Sequence, residues 1–143
     1  MSAAPALYFE DVHIGDEDIT PAITLTEAHA ALYRGLTGDD AEEVGAIPSL
    51  LPLCMSIGLG WRMPRPTLVV LAFMGFEWTI HRTIHVGDTV HSRARAAVKR
   101  SMRDAGVVME DHEIVDQRGQ VVQGGRFTFL VAKRPSVRPP ASA

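Results

Sequence analysis

The stretch Ile47-Pro48-Ser49-Leu50-Leu51-Pro52-Leu53-Cys54-Met55-Ser56-Ile57-Gly58-Leu59-Gly60-Trp61 carries no charged side chain, and its apolar residues fall on every helical phase. A helix of that kind has no face to offer water, so it predicts a segment buried on all sides. It is shorter than the roughly 20 residues a membrane crossing needs. Pro48 suits a first helical turn, where its missing N–H costs nothing. Pro52 sits one turn further on, so it either kinks the helix or moves the start later. Ser56, Gly58 and Gly60 are small enough for a sheet to approach closely.

The covering layer is supplied downstream. Alternating apolar residues predict strands over 67–84 (long, bent at Gly75), 89–100, 107–115 and 120–133. Val86-Gly87-Asp88 and Asp116-Gln117-Arg118-Gly119 supply turns. Upstream, Ile19, Pro21, Ile23 and Leu25 alternate as an edge strand. Thr26 is a helix N-cap, Glu27 suits a first turn, and a helix over 27–36 ends at Thr37-Gly38-Asp39-Asp40. The fold class is α+β: a single domain over 1–133, with a curved antiparallel sheet wrapped around one long buried helix. Residues 134–143, rich in Pro and small side chains, are expected to be disordered.

The totals remove several function classes. With 143 residues and a formal net charge of −3, the chain lacks a nucleic-acid footprint. Arg93, Arg95, Lys99, Arg100 and Arg103 form its densest basic cluster, read either as a solvated strand face or as a site for a ligand phosphate. Cys54 is the one cysteine, so no internal disulfide exists, and its apolar surroundings predict a buried, inert thiol. Residues 1–7 lack the pattern of a signal peptide, which places the protein in the cytoplasm, with no membrane partner.

Several motifs, taken in order, carry a resemblance. Tyr8-Phe9-Glu10-Asp11 with Ile14-Gly15-Asp16-Glu17 comes first, then Thr24-Leu25-Thr26-Glu27-Ala28 with Leu36-Thr37-Gly38-Asp39. Ile84-His85-Val86-Gly87-Asp88-Thr89 follows, and Gln117-Arg118-Gly119-Gln120-Val121-Val122 with Gly124 closes the series. Together these pieces resemble the MaoC-like family of (R)-specific enoyl-thioester hydratases and dehydratases, over about residues 7 to 133. The resemblance implies a single hot-dog domain and reversible hydration of a 2-enoyl thioester carried by CoA or acyl carrier protein. No cofactor or metal is implied. It also implies a homodimer, or a heterodimer with a second hot-dog chain, because a lone curved sheet leaves open edges.

The chemistry demands a base and an acid about the α and β carbons, and donors for the enolate oxygen. The family places an Asp and a His after the Thr-Gly-Asp turn, and the resemblance puts the Asp on Asp39. Its Asn-Pro pair becomes Ala41-Glu42 and its histidine falls on Val44, which cannot move a proton. Asp40, Glu42 and Glu43 lie in the same loop. The catalytic candidates are therefore Asp39, Asp40 and Glu42, as carboxylates whose pKa values split, or else as a solvated acidic loop. The backbone amides of Ser49 and Leu50 are the candidates for holding the thioester carbonyl.

Other residues read as ordinary. His29 is a partly exposed helical residue. His81 and His85 share a strand face without further ligands for a metal. His91 and His112 are strand residues, and Phe76 and Trp78 share a face in the core or along an acyl tunnel. The expected function is a dehydratase or hydratase-type enzyme with a non-standard acid–base site, acting on an acyl thioester or a polyketide-like intermediate. The alternatives are an inactive subunit paired with an active one, or cyclisation, isomerisation or thioester hydrolysis on the same scaffold.

Overall fold

The computed structural model describes residues 5–41 and 43–136. Four long strands follow the sequence alternation closely: β5 (Val70–Ile80), β6 (Thr89–Ser101), β7 (Ala105–Val115) and β8 (Val121–Ala132). They pair antiparallel with β2 (Glu17–Ile19) in the order β2-β6-β7-β8-β5, and β3 (Ile23–Thr24) also pairs with β6. The edge strand expected over 19–25 is interrupted between β2 and β3, around Pro21, which has no N–H for the ladder. β1 (Ala6–Leu7) runs parallel to β4 (Thr67–Leu68) in a separate small pair.

The strand expected over 67–84 breaks into β4 and β5 and ends at Ile80. Register shifts flank Ala72 and Gly75, where Gly75 adopts φ 154°. His81 therefore lies past the strand and His85 lies in the next turn, so the two histidines do not share a strand face. The β7–β8 turn closes on Asp116, whose Oδ1 accepts the amides of Arg118 and Gln120, both at 2.9 Å.

Helix α1 (Glu27–Thr37) starts at Thr26 as expected. His29 completes the cap, because the Thr26 amide donates to its Nδ1 at 3.0 Å. Gly38, in the left-handed region at φ 71°, ends the helix, and its amide donates to the Arg34 carbonyl.

Helix α2 spans Leu51–Trp61, later than its apolar run begins. Pro52 falls in the first turn, where proline is tolerated, and residues 47–50 instead run along the sheet end, with the Ile47 amide bonded to the Ile84 carbonyl. The helix is not covered on every side. Leu51, Leu53, Ser56 and Leu59 are buried, whereas Cys54 and Gly58 are exposed, as are Ile57 and Trp61 beside an open gap to the sheet. One sheet can cover only one side of a cylinder, and among the described residues nothing caps the other. Cys54 is accordingly an exposed thiol, not a buried one.

The inward face of β7 reads Gly106, Val108, Glu110, His112, Ile114. Ile114 belongs to a core with Leu25, Ala30, Ile47, Leu51, Ile84, Val90 and Val122. At the other end Val108 joins Phe9, Val12, Ala96 and Val131. Gly106 is required there, since a methyl group at that position would stand 2.1 Å from the Phe9 ring. Between these two cores lie Glu110 and His112.

The basic cluster of β6 is split between the two faces by the register shift between Ala96 and Val98. Arg93 pairs with Glu113 on the outer face, and Lys99 reaches the Val12 carbonyl with its ammonium 4.5 Å from the Phe9 ring centre. Residues 137–143 of the Pro-rich tail lie outside the described residues. Arg134 is held rather than free: its amide donates to Glu10 and its guanidinium pairs with Asp11.

Candidate functional site

A cavity of about 380 Å³ opens between the C-terminal half of α2 and the sheet, in the gap between the two cores. Its walls are largely apolar: Ile57 and Trp61 from α2, Leu68 and Phe73 from β4 and β5, and Phe127 and Phe129 from β8. Phe127 is buried and meets Phe73 edge-on with ring centres 5.6 Å apart. This suits a hydrocarbon chain or a flat carbon skeleton, with a few polar groups to orient it.

Those polar groups come from three strands and the connector after α2. His112 Nε2 and Glu110 Oε2 are 2.9 Å apart, and the two side chains are only 13% and 20% exposed. The imidazole stacks on Phe127 at 4.2 Å between ring centres. Asp18 on β2 pairs with Arg65 at 3.0 Å. Burial pushes the Asp18 carboxyl above its usual range, and the attraction of Arg65 only partly offsets this. Ser56, Thr20 and Ser92 complete the polar lining.

The strand register puts these groups in order. Asp18 pairs with Ala94, Ala94 with His112, His112 with Gly125, and Gly125 with Trp78. Cross-strand partners point to the same face, so the five form one row. A methyl group at Gly125 would collide with the Glu77 carbonyl at 1.9 Å and with the Trp78 ring. One row further along, Gln123 is buried and accepts from the Trp78 indole at 3.0 Å. It donates to the Ser49 carbonyl at 2.8 Å, which ties the segment preceding α2 to the sheet.

The residues singled out from sequence lie elsewhere. Asp39 and Asp40 are exposed on the loop after α1, where the Asp39 amide is bonded to Thr37 Oγ1 and Asp40 stands 3.6 Å from Arg34. Neither lines the cavity. Glu42 lies outside the described residues. Glu43 pairs with His85 at 3.5 Å, and Val44 is fully exposed. Ser49 and Leu50 do stand immediately before α2, and no backbone bond from either amide is found among the described residues. Burial raises the Tyr33 hydroxyl on α1, reinforced by Cys54 and Asp39 nearby.

Glu110 and Asp18 are absent from the sequence candidates, and His112, read from sequence as an ordinary strand residue, lies in the cavity wall. A signal for two of them was present: Val108 and Ile114 must point inward, so a period of two carries Glu110 and His112 inward with them. Among the described residues, no group of three or more His, Cys, Asp or Glu is arranged to hold a metal ion. No helix among them is long and apolar enough to cross a membrane.

No protein-family model matches the sequence, and no curated protein matches it. Solved structures do match. A monoamine oxidase regulatory protein from Archaeoglobus fulgius is 24% identical with a TM-score of 0.84, the alignment covering 94% of this chain and 100% of that one. A MaoC-like dehydratase from Rhodospirillum rubrum is 19% identical with a TM-score of 0.75, covering 91% and 99%. A MaoC domain protein dehydratase from Chloroflexus aurantiacus is 23% identical with a TM-score of 0.74, covering all of this chain and 45% of that one. At these identities the likeness establishes the fold, which is the hot-dog fold expected from the motifs.

Proposed function

We propose that this hot-dog chain is a MaoC-like dehydratase or hydratase-type enzyme that acts on an acyl thioester or a related polyketide-like intermediate, with a non-standard acid–base site. The observation that carries the reading is the cavity beneath α2: apolar walls on three sides, and an acid, an imidazole and a guanidinium along its floor. The structural likeness to a MaoC-like dehydratase supports it. The acyl portion lies in this cavity, and the thioester carbonyl sits at the start of α2. There the amides of Ser49 and Leu50, aided by the positive end of the helix dipole, act as donors. Asp39 and Asp40 stand on the loop that the motif resemblance aligns with the family's acidic residue. Val44 denies them the histidine partner, which is why the acid–base chemistry must be organised differently.

The protein is further proposed to act as a dimer. β5 is an eleven-residue edge strand on which Leu71, Met74, Phe76 and Ile80 are exposed without lining the cavity. Edges of this length invite pairing with another strand. The carrier, CoA or acyl carrier protein, is recognised outside the cavity.

Assay of purified protein with a crotonyl thioester of CoA and of acyl carrier protein tests the reading, following loss of the enoyl absorbance and, in reverse, water loss from the 3-hydroxyacyl thioester. Turnover above the uncatalysed rate is expected. No turnover of any thioester ends it. A second reading, an inactive subunit that shapes the tunnel of an active partner, is favoured by Val44. It predicts activity only after mixing with a hot-dog chain that carries both the Asp and the His.

A further inference from the structure

We propose that His112, aligned by Glu110, and Asp18 are the acid–base pair of this cavity: His112 takes the α-proton of the bound acyl chain, and Asp18 gives a proton to the departing β-hydroxyl. This rests on the thioester reading above.

The geometry comes from the row Asp18–Ala94–His112. Strands lie about 4.8 Å apart, so Asp18 and His112 start roughly 10 Å from one another on either side of Ala94. Between them stands only a methyl group, and beyond His112 Gly125 offers no side chain at all. The acid and the imidazole thus flank an open trough, and no hydrogen bond joins them among the described residues. A carbon chain laid along this trough meets one group on each side, which is what transfer at adjacent carbons requires.

The imidazole is held on two sides. Nε2 lies 2.9 Å from the Glu110 carboxylate, and the ring stacks on the buried Phe127. With Nε2–H donating to Glu110, the lone pair resides on Nδ1, the nitrogen left to accept a proton. Glu110 is a positioning residue, the orienting third member that nucleophile and base pairs commonly carry. On the other side, Arg65 engages the Asp18 Oδ2 and leaves the second oxygen free. Burial raises the Asp18 carboxyl above its usual range, against the attraction of Arg65. The charged and titratable groups that bear on this pair are Arg65, Glu110 and, beside β2, Asp16.

The segment preceding α2 is tied to the same sheet face. Gln123, which holds the Ser49 carbonyl, precedes Gly125 by two residues on β8, about 7 Å along the strand. The start of α2 and the row of His112 therefore stand at successive rows of one sheet face. In the dehydration direction the α C–H bond breaks and its proton goes to Nδ1. The electron pair forms the α–β double bond, the β C–O bond breaks, and the hydroxyl leaves as water with the Asp18 proton. The imidazolium proton returns to the Asp18 carboxylate through water, which restores both groups.

The test compares His112→Gln, Asp18→Asn, Glu110→Gln and Glu113→Gln, the last on the outer face, in the crotonyl thioester assay and in its reverse. His112→Gln and Asp18→Asn should each lower kcat by about 100- to 10,000-fold. Their dissociation constants for a non-reactive saturated acyl thioester, measured by calorimetry, should stay within about threefold, which separates lost chemistry from lost folding. Glu110→Gln should lower kcat less and shift the limbs of the pH profile, and Glu113→Gln should leave both unchanged. If wild-type turnover persists in His112→Gln, or falls only in Asp39→Asn, proton transfer lies at the loop: this inference is overturned and the thioester reading stands. If the wild-type protein turns over no thioester, both fall.

Discussion

The indole Nε1 of Trp78 donates a hydrogen bond to Oε1 of Gln123 at 3.0 Å, and the same amide holds the Ser49 carbonyl through its nitrogen. Gln123 is 1% exposed, so water cannot replace it. Gln123→Leu would leave both a donor and an acceptor unpaired at the entry to α2. Each stranded group costs about 1–3 kcal/mol, so the variant should lose about 2–6 kcal/mol in urea titrations. A loss below about 0.5 kcal/mol would show that the link is not holding the helix start.

Gly106 faces the ring of Phe9 with no space for a methyl group. Gly106→Ala should cost about 1–3 kcal/mol, the range of overpacked cores. Combined with Phe9→Leu the two losses should be less than additive, because the smaller side chain gives the methyl room. Strict additivity in a double-mutant cycle would contradict the packing described.

Asp88 links two turns. Its carboxylate accepts the His85 amide at 2.9 Å and the Gln117 side-chain amide at 2.8 Å. The His85 amide above all, then Gln117, holds its pKa below the usual carboxylate range. A depressed folded pKa adds stability that is complete above the unfolded value, near 3.9, and is lost as pH falls through the folded value. Asp88→Asn should therefore cost about 1–2 kcal/mol at neutral pH, and the gap to wild type should close below about pH 4. A gap independent of pH between 6 and 2 would rule this account out.

The exposed edge of β5 should be occupied in solution. Light scattering is expected to give a dimer, and Met74→Lys, which puts a charge on that edge, should weaken it at least tenfold in dilution experiments. A monomeric wild-type protein at micromolar concentration would refute the assignment.

The fold was largely legible because its signals are local. Val108 and Ile114 on β7, and Phe127, Phe129 and Val131 on β8, repeat at a period of two, and Gly38 and Pro52 punctuate the helices where backbone chemistry requires it. The open face of α2 was not legible: apolar side chains at Cys54 and Trp61 look the same whether a sheet, a partner or solvent lies beyond them. The site was harder, because it depends on non-local register. That Asp18 and His112 flank the same alanine follows from pairing residues many positions apart. Glu110 and His112 were within reach of the alternation itself, but a polar pair on an inward row is easily taken for a solvated one. The motif resemblance points to Asp39 irrespective of burial, and the structure puts that residue in the open.

Arg134, bonded to Glu10 and Asp11 with its guanidinium 5.8 Å from the Tyr8 ring centre, brings the two ends of the described chain to one corner. Polypeptide can thus enter and leave this module side by side. Such a unit can be inserted into a longer protein, or joined to a second copy of itself, without a connector crossing its surface. This chain aligns with less than half of the Chloroflexus aurantiacus dehydratase, and the meeting of the ends gives a physical reason why a unit of this kind is easily built into a larger one.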